Sequence, residues 1–362
     1  MPDDEVKNVD MSLSGAGLLP YGLQDIEQVR LVLNGDSVVD WRRLAFRDLA
    51  HVDEALARMG ILVSDPDDHD RLSFVHQEAI EYLETRFGAD LDPVVRNPED
   101  VRELFLLASR NGPTQRDACV VLKVMHIIHH VEGRELLYKL PIPVRELFHE
   151  IETQVYGAID EMKASGVRIV EVAASRKTAS SVYTKLLCRS DSQAAQIHDR
   201  LRFRMVTERP GDLFSALVYM TRRLIPFNYV VPGESQNGLI DLTATLGGDA
   251  TLSKLLPLLQ EDVHPAGDGP MRVNHFSSSG YRVINFVVDM AVRVDDLVQQ
   301  LPDHSPARQG KVVFLLAEFQ LVDVQTHAQN DQGENRHSLY KKRQRGRAFE
   351  RLTNGHSQFT SD

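Results

Sequence analysis

The 362-residue sequence predicts an α+β fold, in which an N-terminal all-helical segment precedes an α/β segment built on a mixed sheet. Two observations lead to this prediction. From Gln24 to about Gly166, apolar residues recur at intervals of three and four, as they do on the buried face of a helix. After Val167, short apolar runs with a period of two alternate with further helical patterns.

Composition and charge restrict the functional class. A hydrophobic content of 42% and a net charge of −11 fit a soluble globular protein and argue against binding nucleic acid by bulk electrostatics. Cys119 and Cys188 provide neither a disulfide framework nor a zinc pattern. The acidic start lacks the apolar core of a signal peptide, and no run approaches the ~18 apolar residues of a membrane span. We therefore expect a cytoplasmic protein with no membrane partner.

The helical segment, residues 21–166, is predicted to be a domain of about six helices packed as one bundle. Gly60 and Gly166 stand where glycines commonly end helices. His126, His129 and His130 follow helical spacing, and they are more simply read as core or surface histidines than as metal ligands. Residues 1–20, rich in Asp, Ser and Gly, are predicted to form a flexible arm.

The α/β segment is predicted to span residues 167–346, with an apparent insertion at about 241–270. A polar tail at 347–362 is predicted to be disordered. The expected strands and helices, in chain order, are a strand at 168–173, a helix at 178–188, a strand at 201–207, a helix at 212–224, a short apolar helix at 252–260, strands at 281–289 and 312–321, and a basic helix at 334–345.

The strand at 312–321 carries a carboxylate in an unusual place. Alternation puts Glu318 and Gln320 on the same face as Phe314 and Leu316. An ionised Glu in a central strand is costly unless it is paired, metal-bound or open to solvent. This face is therefore predicted to be covered at one end and open at the other. An edge strand with a solvated Glu is the alternative.

A second acid and two arginines accompany the strand at 201–207. Asp199 precedes this strand, and Arg202 and Arg204 share one of its faces. Two guanidinium groups fit bidentate recognition of phosphate. Asp199 and Glu318, on neighbouring strand ends, could together hold a magnesium ion that carries substrate phosphates. A capping Asp and a surface ladder of charge are the ordinary alternatives.

Other candidate residues lie before and after these strands. Lys177, Ser181 and Lys185 share one helix face, which suits a polyphosphate. Tyr281 opens a strand and could stack on a base, a contact worth ~1–3 kcal/mol, although most such tyrosines only pack. The basic run 336–347 could close over phosphates, and a solvated helix face is its usual explanation.

Placed in order, the segments from Val167 to Arg345 resemble the synthetase domain of RelA/SpoT-type alarmone synthetases. That family transfers a pyrophosphate group from ATP to the 3′-hydroxyl of GDP or GTP. The resemblance implies a nucleotidyltransferase-like sheet, Mg²⁺ as cofactor, and ATP and GDP or GTP as substrates. It implies no oligomeric state, and a homo-oligomer is left open.

The first family motif lies on the helix that follows the first strand. The family's R-x-K-x-x-x-S-x-x-x-K appears as Lys177, Ser181 and Lys185. Arg176 stands directly beside Lys177, while Ser175 holds the position of the family's arginine. The resemblance implies that Arg176 and these three residues bind ATP.

Two further motifs lie on strands. The family's D-x-x-x-x-R appears as Asp199 to Arg204, which implies a metal ligand and a contact of Arg204 with ATP phosphate. Its E-I-Q-I-R-T appears as Glu318 to Asp323, with Gln320 assigned to the acceptor. The resemblance makes Asp199 and Glu318 the catalytic acids and metal ligands, and Glu318 alternatively the base on the attacking hydroxyl.

The acceptor side has two short motifs. The family's N-G-Y corresponds to Gly280 and Tyr281, and its closing H-x-x-Y-K to His337, Tyr340 and Lys341. The resemblance implies that these residues bind the acceptor nucleotide, with Tyr281 stacked on its base.

Three departures leave the function open. Ser277 and Ser279 replace a lysine and an asparagine, and Val322 replaces an arginine. They fall mostly on the acceptor side. Besides alarmone synthesis, the same donor chemistry on an adenine nucleotide or a tRNA 3′ end, as in toxin-like relatives, is an alternative. A non-catalytic nucleotide-binding regulatory protein is another.

Overall fold

The computed structural model describes eight stretches of the chain: residues 21–35, 44–188, 201–225, 229–248, 252–255, 281–302, 305–331 and 337–353. The predicted arm, much of the predicted insertion and the last part of the predicted tail lie outside these stretches. In the described part of the chain, no helix is both long and apolar enough to cross a membrane.

The N-terminal segment is helical, as the apolar periodicity predicts. Asp48 and Asp65 cap helices by accepting from backbone amides, and Gly60 and Gly166 have φ of 81° and 98° just after helix ends. Its elements are α1 (Leu23–Asn34), α2 (Leu49–Arg58), α3 (Pro66–Phe87), α4 (Pro93–Arg96), α5 (Glu103–Ser109), α6 (Gln115–Lys139), a 3₁₀ turn (Val144–Glu146) and α7 (Phe148–Ala164).

A mixed five-stranded sheet follows, which confirms the α+β class. The strand order is β1-β2-β5-β4-β3, in which β2 and β5 are parallel and the other pairs antiparallel. The strands are β1 (Ile169–Arg176), β2 (Leu201–Thr207), β3 (Gln236–Asn237), β4 (Ile284–Arg293) and β5 (Val312–Asp323).

The helices of this second half are α8 (Ala179–Cys188), α9 (Pro210–Arg223), α10 (Leu242–Gly247), α11 (Asp295–Val298), α12 (Pro306–Gln309), α13 (Val324–Asn330) and α14 (His337–Thr353), with a 3₁₀ turn at Leu252–Leu255. Helix α14 extends into the predicted disordered tail, so that boundary was wrong. The extension is held because Ala348 is buried and Arg351 donates to the carbonyl of Leu187 at 2.8 Å.

One face of the sheet is apolar along the central strands. Phe203, Phe319 and Phe286 lie side by side on β2, β5 and β4, with ring centroids 5.4 and 5.5 Å apart. Tyr156 of α7 contacts this row edge-on. Helix α9 packs beside α7, where Tyr219 donates to Glu161 at 3.0 Å. These rings, together with α7 and α9, form the apolar layer on this face of the sheet.

Helix α6 covers the first half of β5 on the opposite face. Gly133 lies directly on Phe314, which is fully buried and stacks on Tyr229 with a centroid distance of 4.8 Å. Beside it, His130 and Arg134 both donate to the buried Asp289 of β4 at 2.8 Å. The predicted cover at one end of this face is therefore supplied by the N-terminal helices.

The helices and the sheet share one hydrophobic core. Arg293 of β4 adds a polar connection, because it donates to Asp65 and Asp68 at the start of α3. The helices thus pack on the sheet as well as on one another, and the domain boundary at 166/167 remains a prediction.

The predicted histidine cluster belongs to this packing. His126 and His129 are buried, and burial lowers their pKa values to about 4 and about 3. His129 bonds the carbonyl of Met59 at 3.3 Å, and His130 bonds Asp289. These histidines are therefore part of the packing between α6 and the sheet.

Candidate active site

Further along β5, the sheet face that α6 covers carries a hydrogen-bonded row of polar side chains. Arg202 of β2 donates from Nε to Oε2 of Glu318 at 2.7 Å. The amide of Gln320 donates to Oε1 of Glu318 and to Oδ1 of Asn285, both at 3.2 Å. Glu318 and Gln320 are buried. Three adjacent strands thus supply a continuous polar strip on this face of the sheet.

The strand register builds this strip. Arg202 lies directly beside Glu318, and Arg204 beside Gln320, in the parallel pair of β2 and β5. Asn285 lies beside Gln320 in the antiparallel pair of β4 and β5. Since paired residues project from the same face, alternation alone brings all five side chains together.

Arg204 is the second guanidinium group of the strip. Its NH2 group donates to Nδ1 of His327 at 2.8 Å. Because arginine only donates, Nδ1 of His327 is the acceptor in this hydrogen bond. The Nε of Arg204 is buried without a hydrogen-bond partner among the described residues. A buried donor without a partner is energetically costly.

Helix α13 positions His327 over β2. It begins directly after β5, where Asp323 accepts from the backbone amide of Thr326 at 3.0 Å and from its hydroxyl at 2.6 Å. At the other end of α13, the side chain of Asn330 bonds both backbone groups of Arg282. The helix therefore also fixes the chain next to Tyr281, which is half-buried just before β4.

The structure places the two residues at the end of β1 on opposite faces. Ser175 pairs with Arg202 and lies on the face of Glu318, whereas Arg176 pairs with Leu201 and lies on the other face. There Arg176 forms a bidentate pair with Glu152 of α7 at 2.8 and 2.7 Å, which raises its pKa. Arg176 therefore lies on the opposite face of the sheet from Arg204, which was also predicted to bind ATP.

Ser181 and Lys185 lie on α8, whereas Lys177 lies between the end of β1 and the start of this helix and is not on the predicted helix face. Ser181 shares a hydrogen bond with Thr178 at 2.9 Å, which closes the first turn of the helix. Helix α14 packs along α8, and the thiol of Cys188 donates to the carbonyl of Gln344 at 2.8 Å.

The remaining predicted residues are only partly described. His337, Tyr340 and Lys341 lie in the first turns of α14, and their side chains are outside the description. Asp199 and Gly280 lie outside the described residues altogether. The predicted pairing of Asp199 with Glu318 around one ion thus remains a prediction.

The described side chains do not, as they stand, form a magnesium site. Among them no group of three or more His, Cys, Asp or Glu residues could hold a metal ion. Glu318 is the carboxylate of the strip, and its two oxygens already accept from Arg202 and Gln320. A cation at Glu318 would compete with the guanidinium group for Oε2.

Asn285 of the strip and His327, which contacts the strip from α13, were not assigned from the sequence. Asn285 carried a usable signal, since it interrupts the apolar run of β4 on the face of Gln320. His327 carried none, because its contact with Arg204 depends on the direction in which α13 leaves β5. Arg202 was recognised as a partner of Arg204, but its bond to Glu318 follows only from the register.

Comparisons with known proteins were made at three levels. No protein-family model matches the chain, and no curated protein matches it. Among solved structures, the chain is similar to small alarmone synthetase 1 of Bacillus subtilis bound to its product pppGpp, with 14% identity, a TM-score of 0.34, and coverage of 59% of this chain and 89% of that one.

Two further solved structures are similar to the chain. Small alarmone synthetase 2 of Bacillus subtilis has 12% identity and a TM-score of 0.30 over 57% of this chain and 89% of that one. A GTP pyrophosphokinase family protein of Streptococcus pneumoniae has 14% identity and a TM-score of 0.27 over 59% and 90%.

Proposed function

We propose that this protein transfers a pyrophosphate group from ATP to the 3′-hydroxyl of a guanine nucleotide. The observation that carries the proposal is the polar strip, in which two arginines, an acid and two amides occupy one sheet face. The motif resemblance supplies the donor and acceptor, and pppGpp is the product bound to one similar structure.

Cationic groups would carry most of the chemistry. Charge spreads over the oxygens of a transferred phosphoryl-type group, so catalysis depends on fixed positive charge and position. Arg204 supplies one guanidinium group of the strip, and Arg202 is fixed on the same face by Glu318. Lys177 and Lys185 would bind the phosphates of ATP from the side of α8.

The acceptor would enter from the side of β4. Tyr281 lies just before this strand, next to the backbone fixed by Asn330. Gln320 and the first turns of α14 complete the acceptor residues that the motifs imply. Mg²⁺, when bound, would neutralise charge on the phosphates of ATP. The expected substrates are ATP and GDP or GTP, and a cytoplasmic location remains part of the proposal.

The test is a transfer assay with labelled ATP and Mg²⁺, in which GDP, GTP, ADP and tRNA are offered separately. We expect labelled product from GDP or GTP. In Glu318→Gln, which keeps the side-chain volume but loses the charge, we expect transfer to fall by at least about 100-fold. Product from tRNA or ADP alone would contradict the guanine acceptor, and normal turnover of Glu318→Gln would contradict the site.

A non-catalytic nucleotide-binding protein is the second candidate. It is favoured by the engagement of both oxygens of Glu318 and by Val322, which is fully buried where the motif implies an arginine. This candidate predicts binding of nucleotide by calorimetry with no transfer to any acceptor.

A further inference from the structure

We propose that Arg202 is the resident cation of Glu318, and that the nucleotide-free protein does not bind a divalent ion at this carboxylate. Glu318 then acts as a positioning residue that presents Arg202 to the phosphates of the substrate. The inference rests on the proposed function for the identity of the substrate, but its central claim concerns the free protein alone.

The contact between the two side chains is strong. Nε of Arg202 lies 2.7 Å from Oε2 of Glu318, which is the length of a charge-assisted hydrogen bond. The side chain of Glu318 is only 10% exposed, whereas that of Arg202 is 32% exposed. The acid is therefore held inside, and the guanidinium group extends from it toward solvent.

The second oxygen of Glu318 is also engaged. Gln320 donates to Oε1 at 3.2 Å, and the same amide donates to Asn285. A divalent ion at Glu318 would have to displace Arg202 or Gln320. Magnesium prefers oxygen ligands in a near-octahedral arrangement and usually keeps several waters, which this buried carboxylate cannot provide without such a displacement.

The sheet makes this displacement costly. Arg202 and Glu318 are directly paired residues of two central strands, so no loop movement separates them. Arg204 adds a second positive charge on the same face, which repels an incoming ion. The metal ion of the proposed reaction would therefore arrive on the phosphates of ATP, with Arg202 remaining on Glu318.

The experiment measures Mn²⁺ binding to the nucleotide-free full-length protein by calorimetry and by the spin-resonance signal of free Mn²⁺. We expect the single variant Glu318→Gln to bind Mn²⁺ with the same affinity as the wild type. In Arg202→Gln, we expect Mn²⁺ to bind at least about tenfold more tightly, because a charged hydrogen bond no longer competes. Adding Glu318→Gln to Arg202→Gln should remove this gain.

The matched control is Arg204→Gln, which removes the same charge from the same face but leaves Glu318 paired. We expect it to give a much smaller gain than Arg202→Gln. Equal gains would overturn the proposal, because general electrostatics would then explain both. Should Arg202→Gln not fold, Arg202→Met, which keeps the aliphatic stem, carries the same expectation.

The comparison of Glu318→Gln with the wild type can also overturn the proposal. If Glu318→Gln weakens Mn²⁺ binding of the nucleotide-free protein about tenfold, Glu318 is a metal ligand and Arg202 does not occupy its place. The transfer assay is read separately. Absence of transfer to every acceptor would refute the proposed function and leave the metal-binding result intact.

Discussion

Gly133→Ala tests whether helix α6 rests on the sheet as closely as the structure shows. A Cβ at position 133 would lie 2.6 and 2.7 Å from two ring carbons of Phe314 and 2.9 Å from the carbonyl oxygen of Val312. Phe314 is fully buried and packed between Tyr229 and His130, so it has little room to move. Helix or strand must therefore shift.

The expected magnitude is a difference between two opposing effects. Alanine is favoured over glycine in a helix interior by about 1 kcal/mol. Overpacking a well-filled core costs about 1–3 kcal/mol, and contact with backbone as well as a ring places this site at the upper end. We therefore expect Gly133→Ala to lower the free energy of unfolding by about 1–2 kcal/mol.

Gly157→Ala is the matched control. Gly157 also lies inside a helix, α7, but a Cβ there meets nothing within 4 Å. It should raise the free energy of unfolding by about 1 kcal/mol. Both variants are compared by urea unfolding followed by circular dichroism. If Gly133→Ala stabilises the protein as much as Gly157→Ala, the close contact of α6 with β5 is refuted.

Two further predictions concern charges outside the polar strip. Arg176→Gln should lower the free energy of unfolding by less than about 1 kcal/mol, because its pair with Glu152 is exposed. It should also leave ATP binding unchanged in calorimetry. A tenfold loss of ATP affinity would show instead that Arg176 belongs to the nucleotide site. The pKa values of His126 and His129, about 4 and about 3, lie below the ordinary 6.5, so their contribution to stability is complete above pH 6.5 and is lost as the pH falls toward 3. At pH 5 the lowered pKa of each histidine should reduce the free energy of unfolding by about 2 kcal/mol relative to pH 7. His129→Gln should make the free energy of unfolding depend less on pH, whereas His149→Gln, at an exposed position, should leave its pH dependence unchanged. The same pH dependence in both variants would contradict the lowered pKa of His129.

Much of the fold was predictable because hydrophobic periodicity is a local signal. The strand at 201–207 was predicted with its observed bounds, and β5 was predicted from its first residue, Val312. The end of α14 was missed because its sequence is polar and charged there. Its extension depends on contacts with α8 that are distant in the chain.

The candidate site was predictable in its types of residue but not in its pairing. Alternation correctly put Glu318 and Gln320 on one face of β5 and Arg202 and Arg204 on one face of β2. It could not show which strands are neighbours, so the bond from Arg202 to Glu318 was not foreseen. Arg176 lies on the other face, because a shift of one residue along a strand reverses the face, and its role in binding ATP stays a prediction.

The places of Ser175 and Arg202 have a consequence for the donor side. A serine occupies the position where the resembled family has an arginine, and directly across from it, on the neighbouring strand, stands Arg202. Arg202 thus places a guanidinium group one strand away from the position at which the resembled motif has an arginine. Under the proposed function, either of two neighbouring strands can supply a cation to this face of the sheet.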